Sequence, residues 1–222
     1  VGDEAPGGGR AVLPLSLTLV SGMLDAVSYL GLGHVFVANM TGNVVVLGMA
    51  LGGSPDFSTP GCLVALAGFV GGTVVSGRLA RAVPRRPLPA LVVESVLLVA
   101  ATVVAFAGLT SARRFAVIGV LGLAMGLRTA SIRLAGVSDI TTTVITSTLA
   151  ALGAHSALAG GDGAGWGRRL GAVLLLLAGA GGGAWLILRW GPGVALAVAA
   201  GVQGVVGGTY AYLSRRAPGS RT

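Results

Sequence analysis

Apolar residues run along this chain in long stretches rather than in stripes. Between Leu88 and Leu109 the one charged residue is Glu94, and Leu170–Leu188 and Val194–Leu213 carry none. Apolar runs of about 18 residues or more can cross a bilayer as helices. The pattern therefore predicts an all-α polytopic membrane protein. One stretch fits less simply: His34–Leu51, HVFVANMTGNVVVLGMAL, carries His34, Asn39, Thr41, Gly42 and Asn43 at its front. Val35–Ala38 is β-branched and aromatic, which suits an extended strand. Asn39, Thr41 or Asn43 can cap a helix start, and Val44–Leu51 continues as apolar helix. Five extended residues cover about 16 Å, roughly half of a hydrocarbon core. A dozen helical residues cover about 18 Å. These lengths predict a re-entrant strand down to the membrane midplane and a half-helix back out.

The pattern repeats roughly a hundred residues later, as internal duplications do. GMLDAVSYL (Gly22–Leu30) aligns with GLRTASIRL (Gly126–Leu134), and TGNVVVLG from Thr41 aligns with TSTLAALG from Thr146. The run Leu88–Leu109 is answered by Pro192–Leu213. The expected organisation is a disordered tail (1–10), a first membrane repeat (11–110), a second (111–214) and a basic tail (215–222). The run Ala11–Gly31 is expected to be an uncleaved first helix rather than a signal peptide. In the second repeat, Ser138–Thr143 would descend, and Thr146, Ser147 and Thr148 would open the half-helix Leu149–Ala154. If the polar-fronted segments cross fully, each half has four crossings and the halves are parallel. If they re-enter, each half has three and the halves are inverted.

Charge chooses between these. Of 222 residues 54% are hydrophobic and 10% charged, against about a quarter charged in soluble domains. The net charge of +8 arises without a single Lys. With re-entrant segments, one side collects Arg10, Arg78, Arg81, Arg85, Arg86, Arg133, Arg168, Arg169, Arg215, Arg216 and Arg221. The other keeps only Arg113, Arg114 and Arg189. Cytoplasmic loops carry the excess of positive residues, so six crossings, cytoplasmic termini and inverted halves are expected. The arginines suit anionic lipid headgroups rather than nucleic acid. Cys62 alone excludes an internal disulfide and a cysteine metal cluster. Two histidines, His34 and His155, are too few for a metal site and read as interface residues. No hydrolase triad, phosphate loop or carboxylate pair is present, so neither an enzyme nor a cofactor is expected.

In inverted-repeat transporters, broken segments meet near the midplane and hold the solute. Two half-helix N-termini favour an anion or an acceptor-rich solute. The candidate binding residues are Asn39, Thr41, Gly42 and Asn43 with Thr143, Thr146, Ser147 and Thr148. The competing reading makes them helix caps and interhelical hydrogen bonds. Asp25 would be a proton carrier or the charge partner of Arg128. Glu94 would snorkel toward Arg85 or Arg86, and Gln203 would bond between helices. Gly68-x-x-x-Gly72, Gly122-x-x-x-Gly126 and Gly204-x-x-x-Gly208 predict close internal helix packing, with a homodimer face as the alternative. Gly181–Gly183 would be a hinge.

The pattern D-A-x-S-Y-L-x-L-G…F-x-A-N-M-T-G-N within Gly22–Leu51 resembles the signature of the YoaK-like family of bacterial multi-pass membrane proteins, a domain of unknown function. The resemblance implies a domain covering nearly the whole chain, in a bacterial plasma membrane. Around Thr143 the chain is similar to the family's threonine-rich T-G-T segment, with Ser147 in the glycine position. Two inverted strand-plus-half-helix units are also similar to the centre of sulfate and nucleobase permeases, whose repeats are longer. The leading expectation is a secondary transporter or channel for a small polar or anionic solute. The alternative is a non-transporting assembly, lipid-binding or signalling component with a structural polar centre.

Overall fold

A computed structural model of the chain describes residues 9–54, 58–82, 88–135, 145–156, 159–163 and 165–216. These form seven helices: α1 (Gly9–Gly31), α2 (Met40–Leu51), α3 (Thr59–Ala82), α4 (Leu88–Phe106), α5 (Ser111–Leu134), α6 (Ile145–Ala154) and α7 (Trp166–Arg216). Among the described residues there is no strand, so the one expected over Val35–Ala38 is instead irregular chain. Helices α3, α4, α5 and α7 are each long and apolar enough to cross a membrane. Helix α1 has 23 residues, whereas α2 has 12 and α6 has 10, about 18 and 15 Å of helix. Neither short helix reaches across a hydrocarbon core about 30 Å thick.

Polarity is arranged as lipid demands. Val92, Val96, Val99 and Val103 of α4 and Leu174, Leu177 and Leu188 of α7 face outward, while Glu94, Arg128 and Gln203 are buried. Ionisable groups within spanning segments face the bundle interior for this reason.

Glycine sets which helices touch. A Cβ on Gly68 or Gly72 of α3 would strike the α5 backbone at Gly119 and Leu123, and one on Gly122 or Gly126 would strike the α3 backbone at Ala65 and Phe69. Gly22 of α1 meets Leu176 and Ala180 of α7 in the same way, and Gly179 and Gly183 of α7 meet Leu19 and Met23. Small residues permit this backbone contact. In both contacts residue numbers rise together, so α1 lies parallel to the first part of α7, and α3 parallel to α5. The third motif differs: among the described residues nothing lies within 4 Å of a Cβ on Gly204 or Gly208, so those glycines make no close internal contact there.

The hinge expected at Gly181–Gly183 is continuous helix; the break falls at Gly191 (φ 82, ψ 176), ahead of Pro192. A left-handed φ suits glycine, and proline then starts the next helical stretch. At 51 residues, α7 would be about 76 Å long if straight. It turns back instead. Gly31 of α1 neighbours Ile187 and Pro192, and Gly193 neighbours the Phe106 ring at the end of α4. Farther along, Val206 and Tyr210 pack on the cluster of Leu17, Leu91 and Ile132.

These contacts sort the helix ends. One end of the bundle gathers the starts of α1 and α4 and the finishes of α5 and α7; the other gathers the finishes of α1 and α4 and the turn at Gly191. Since α3 parallels α5, the chain between α1 and α3 leaves and returns at the Gly31 end. Since α7 starts out parallel to α1, the connection from α5 to α7 leaves and returns at the Leu17 end.

Candidate functional site

Helix α1 finishes at Gly31, and the chain reverses through two left-handed residues, Gly33 (φ 101) and His34 (φ 57). Such a φ is uncommon outside glycine. Here it is held by the His34 N–H on the Tyr29 carbonyl (3.1 Å) and by the Tyr29 ring, which meets His34 edge-on and stacks on Phe36. The chain then runs back alongside α1. The N–H groups of Val37 (3.0 Å), Ala38 (2.7 Å) and Asn39 (3.4 Å) all donate to Oδ1 of Asp25, which lies about 9 Å down α1 from Gly31.

Helix α2 starts there. The Asn39 side chain caps it by accepting the Gly42 N–H (3.2 Å). Asn43, fully buried, accepts the Phe36 N–H on Oδ1 (2.8 Å) and donates from Nδ2 to the Phe36 carbonyl. A Cβ on Gly42 would fall 2.8 Å from the Phe36 ring. Gly42 and Asn43 are therefore committed to the protein's own backbone, while Asn39 and Thr41 are exposed.

The second polar front is arranged otherwise. Helix α6 begins at Ile145, not at Leu149, so Thr146, Ser147 and Thr148 lie within its first turn. Thr146 and Ser147 are exposed and Thr148 is half-buried. Thr143 and the descending segment Ser138–Thr143 lie outside the described residues. Helix α2 rests on α3 and α6 on α7, with no extended contact between α2 and α6. Asn39–Asn43 thus form one cluster, which the described residues do not join to Thr146–Thr148. His34 and His155 are both exposed; a ring nitrogen of His155 bonds the Ala151 carbonyl.

A separate polar centre lies between the spans. Arg128, 1% exposed, forms an ion pair with Glu94, which is fully buried. Its Nε meets Glu94 Oε1 at 2.6 Å. Its Nη1 donates to the Leu17 carbonyl (3.0 Å) and Ser21 Oγ (2.9 Å). Its Nη2 donates to Glu94 and to Gln203 Oε1 (3.2 Å), and Gln203 returns a bond to Glu94 Oε2 (2.9 Å). All five guanidinium N–H groups have partners. One expectation is corrected here. Glu94 does not snorkel toward Arg85 or Arg86, because Arg128 satisfies its charge inside the bundle. Asp25 makes no hydrogen bond to Arg128, its Oδ1 accepting three backbone amides, although the Arg128 charge still acts on its carboxylate. Gln203 does bond between helices. The sequence signal for this pair was available: two opposite charges, each alone in an apolar run, are expected to find each other.

The family described as "Protein of unknown function (DUF1275)" matches residues 13–209. The chain belongs to this family. A relative of this chain, the UPF0700 transmembrane protein YoaK of Bacillus subtilis (strain 168), is 36% identical over 147 residues. That match spans 64% of this chain and 65% of the relative's length. No solved structure matches the chain. A transmembrane relative and four helices fit to span make this DUF1275 chain an integral membrane protein of bacterial type.

Proposed function

We propose that this DUF1275 protein is a secondary transporter or channel for a small polar or anionic solute. In this proposal it lies in a bacterial plasma membrane with both termini cytoplasmic, six crossings and two inverted halves, and carries out no covalent chemistry. The observation that carries it is the chain from Gly33 to Leu51, which turns back along α1, is tied to Asp25, and starts a short helix beside the spans. Non-helical backbone at membrane depth is tolerated where it is buried in protein or lines a wet cavity. Inverted halves are supported by the helix ends, since the two connections carrying α2 and α6 leave and return at opposite ends of the bundle. The arginine distribution supports the same orientation.

Within the candidate site, Asn39 capping α2, Thr41 on α2, and Thr146 and Ser147 on α6 are the exposed residues. Gly42 and Asn43 shape the backbone beneath them. The test is flux into liposomes holding purified protein, with a panel of inorganic anions, weak acids and nucleobases. Thr41→Ala combined with Thr146→Ala should abolish flux while leaving folding intact. Absence of flux across the panel, or flux that survives the double substitution, would favour a non-transporting membrane component.

A further inference from the structure

The Arg128 centre is placed oddly for a structural device. Burying an ion pair is expensive, and an apolar core of the same volume is often as stable or more so. The pair has no counterpart across the repeat, where Val198 stands opposite Glu94. It ties together α1, α4, α5 and the returning part of α7. In particular, Arg128 of α5 reaches across to Leu17 and Ser21 of α1, joining the α3–α5 pair to the α1–α7 pair.

We propose that Glu94 is the proton-exchanging group of this protein, and that Arg128 converts its charge state into opening or closing of the bundle. This rests on the transport reading and names its coupling ion as the proton. The guanidinium stays charged at any working pH, so Glu94 is the one member of the centre that can change charge. A proton arriving from water on the Glu94 carboxylate makes it neutral and leaves Arg128 buried without the charge it is bonded to. That state is strongly unfavourable in a dry interior. Arg128 must then gain water or an anion, and either requires its grip on Leu17 and Ser21 to loosen. The proton leaves again when Arg128 returns.

The groups facing Glu94 suit this role. From α5 it receives Arg128, and from α7 the neutral Gln203. The other carboxylate near the centre, Asp25 of α1, accepts the amides of residues 37–39 on Oδ1 and interacts with Arg128 through its charge alone. Arg78 and Arg81 of α3 make no bond to it among the described residues.

The experiment needs no substrate. In a Cys62→Ala background, Ala101→Cys places a thiol on the buried face of α4, two turns beyond Glu94, where Ala101 is 1% exposed. Labelling by a water-soluble thiol reagent is measured in lipid nanodiscs and normalised to unfolded protein. It should be slow at alkaline pH and rise at least about tenfold, a shift near 1.4 kcal/mol, as the pH is lowered. With Glu94→Gln it should be fast and independent of pH. Glu94→Asp keeps a charge for Arg128 and so guards against simple misfolding; it should move the midpoint. Labelling that ignores pH in the parent, or an unmoved midpoint in Glu94→Asp, overturns the proposal. If labelling responds to pH while no solute moves, the transport reading falls and the proton-driven opening stands. If flux is found but ignores both pH and Glu94, the reverse holds.

Discussion

Asn43 holds Phe36 as a neighbouring strand would. Its amide oxygen takes the Phe36 N–H at 2.8 Å and its amide nitrogen gives to the Phe36 carbonyl, so one side chain replaces a rung of sheet. Asn43→Leu removes both partners from a fully buried position. Each orphaned group costs about 1–3 kcal/mol. Thermal unfolding in detergent should show a loss of that order, whereas Thr41→Ala, at an exposed position, should leave stability unchanged.

Asp25 does for Val37, Ala38 and Asn39 what Asn43 does for Phe36. Asp25→Ala leaves three N–H groups without their acceptor, and Asp25→Asn keeps one oxygen for them. Hydrogen exchange at residues 37–39 should rise by about tenfold or more in Asp25→Ala, equivalent to about 1.4 kcal/mol of lost protection. The rise should be smaller in Asp25→Asn. Equal exchange in both variants and the parent would remove Asp25 from its anchoring role.

Breaking the buried pair from one side should hurt more than removing it. Arg128→Met strands the Glu94 carboxylate, and losses of about 3–5 kcal/mol follow such a step. Glu94→Met with Arg128→Met leaves no stranded charge. The double variant should recover a large part of the single variant's loss in denaturant unfolding.

Glycines in the two parallel contacts are predicted to resist substitution that others accept. Gly72→Ala drives a methyl into the Leu123 carbonyl and the Leu127 amide, and overpacking of this kind costs about 1–3 kcal/mol. Gly204→Ala meets nothing within 4 Å and should be neutral, or stabilising by up to about 1 kcal/mol from helix propensity. Thermal midpoints of the two proteins decide this.

Reporters of sidedness inserted after Ser54 and after Gly161 should lie on opposite faces of the membrane. Reporters on the same face would mean that the connections carrying α2 and α6 cross it.

Much of the bundle was legible in the sequence because lipid imposes a simple rule on it. Runs such as Leu88–Leu109 have no other stable state than a helix, and Gly68, Gly72, Gly122 and Gly126 announce close contact by their spacing. The polar front was harder. β-branched residues at Val35 and Val37 suggested a strand, yet a strand needs a ladder, and here Asp25 and Asn43 supply the hydrogen bonds from side chains. No local pattern distinguishes those alternatives, because the deciding partner, Asp25, is a dozen residues away in another element. The turn at Gly191 was legible as the gap between the runs Leu170–Leu188 and Val194–Leu213, with Arg189 in it, although one left-handed glycine rather than a polar loop makes it. The true partner of Glu94 was missed because the nearby Arg85 and Arg86 offered a local answer, whereas Arg128 is remote in sequence.

The glycine contacts bear on how such a molecule could move. Each glycine-lined pair consists of one helix from each sequence half: α3 from the first with α5 from the second, and α1 from the first with the start of α7 from the second. Backbones in direct contact over several turns make each pair a stiff strut. The halves are interlocked like the fingers of two hands and cannot separate as domains. Any rearrangement must slide or tilt one strut against the other, and its moving bodies are not the two sequence halves.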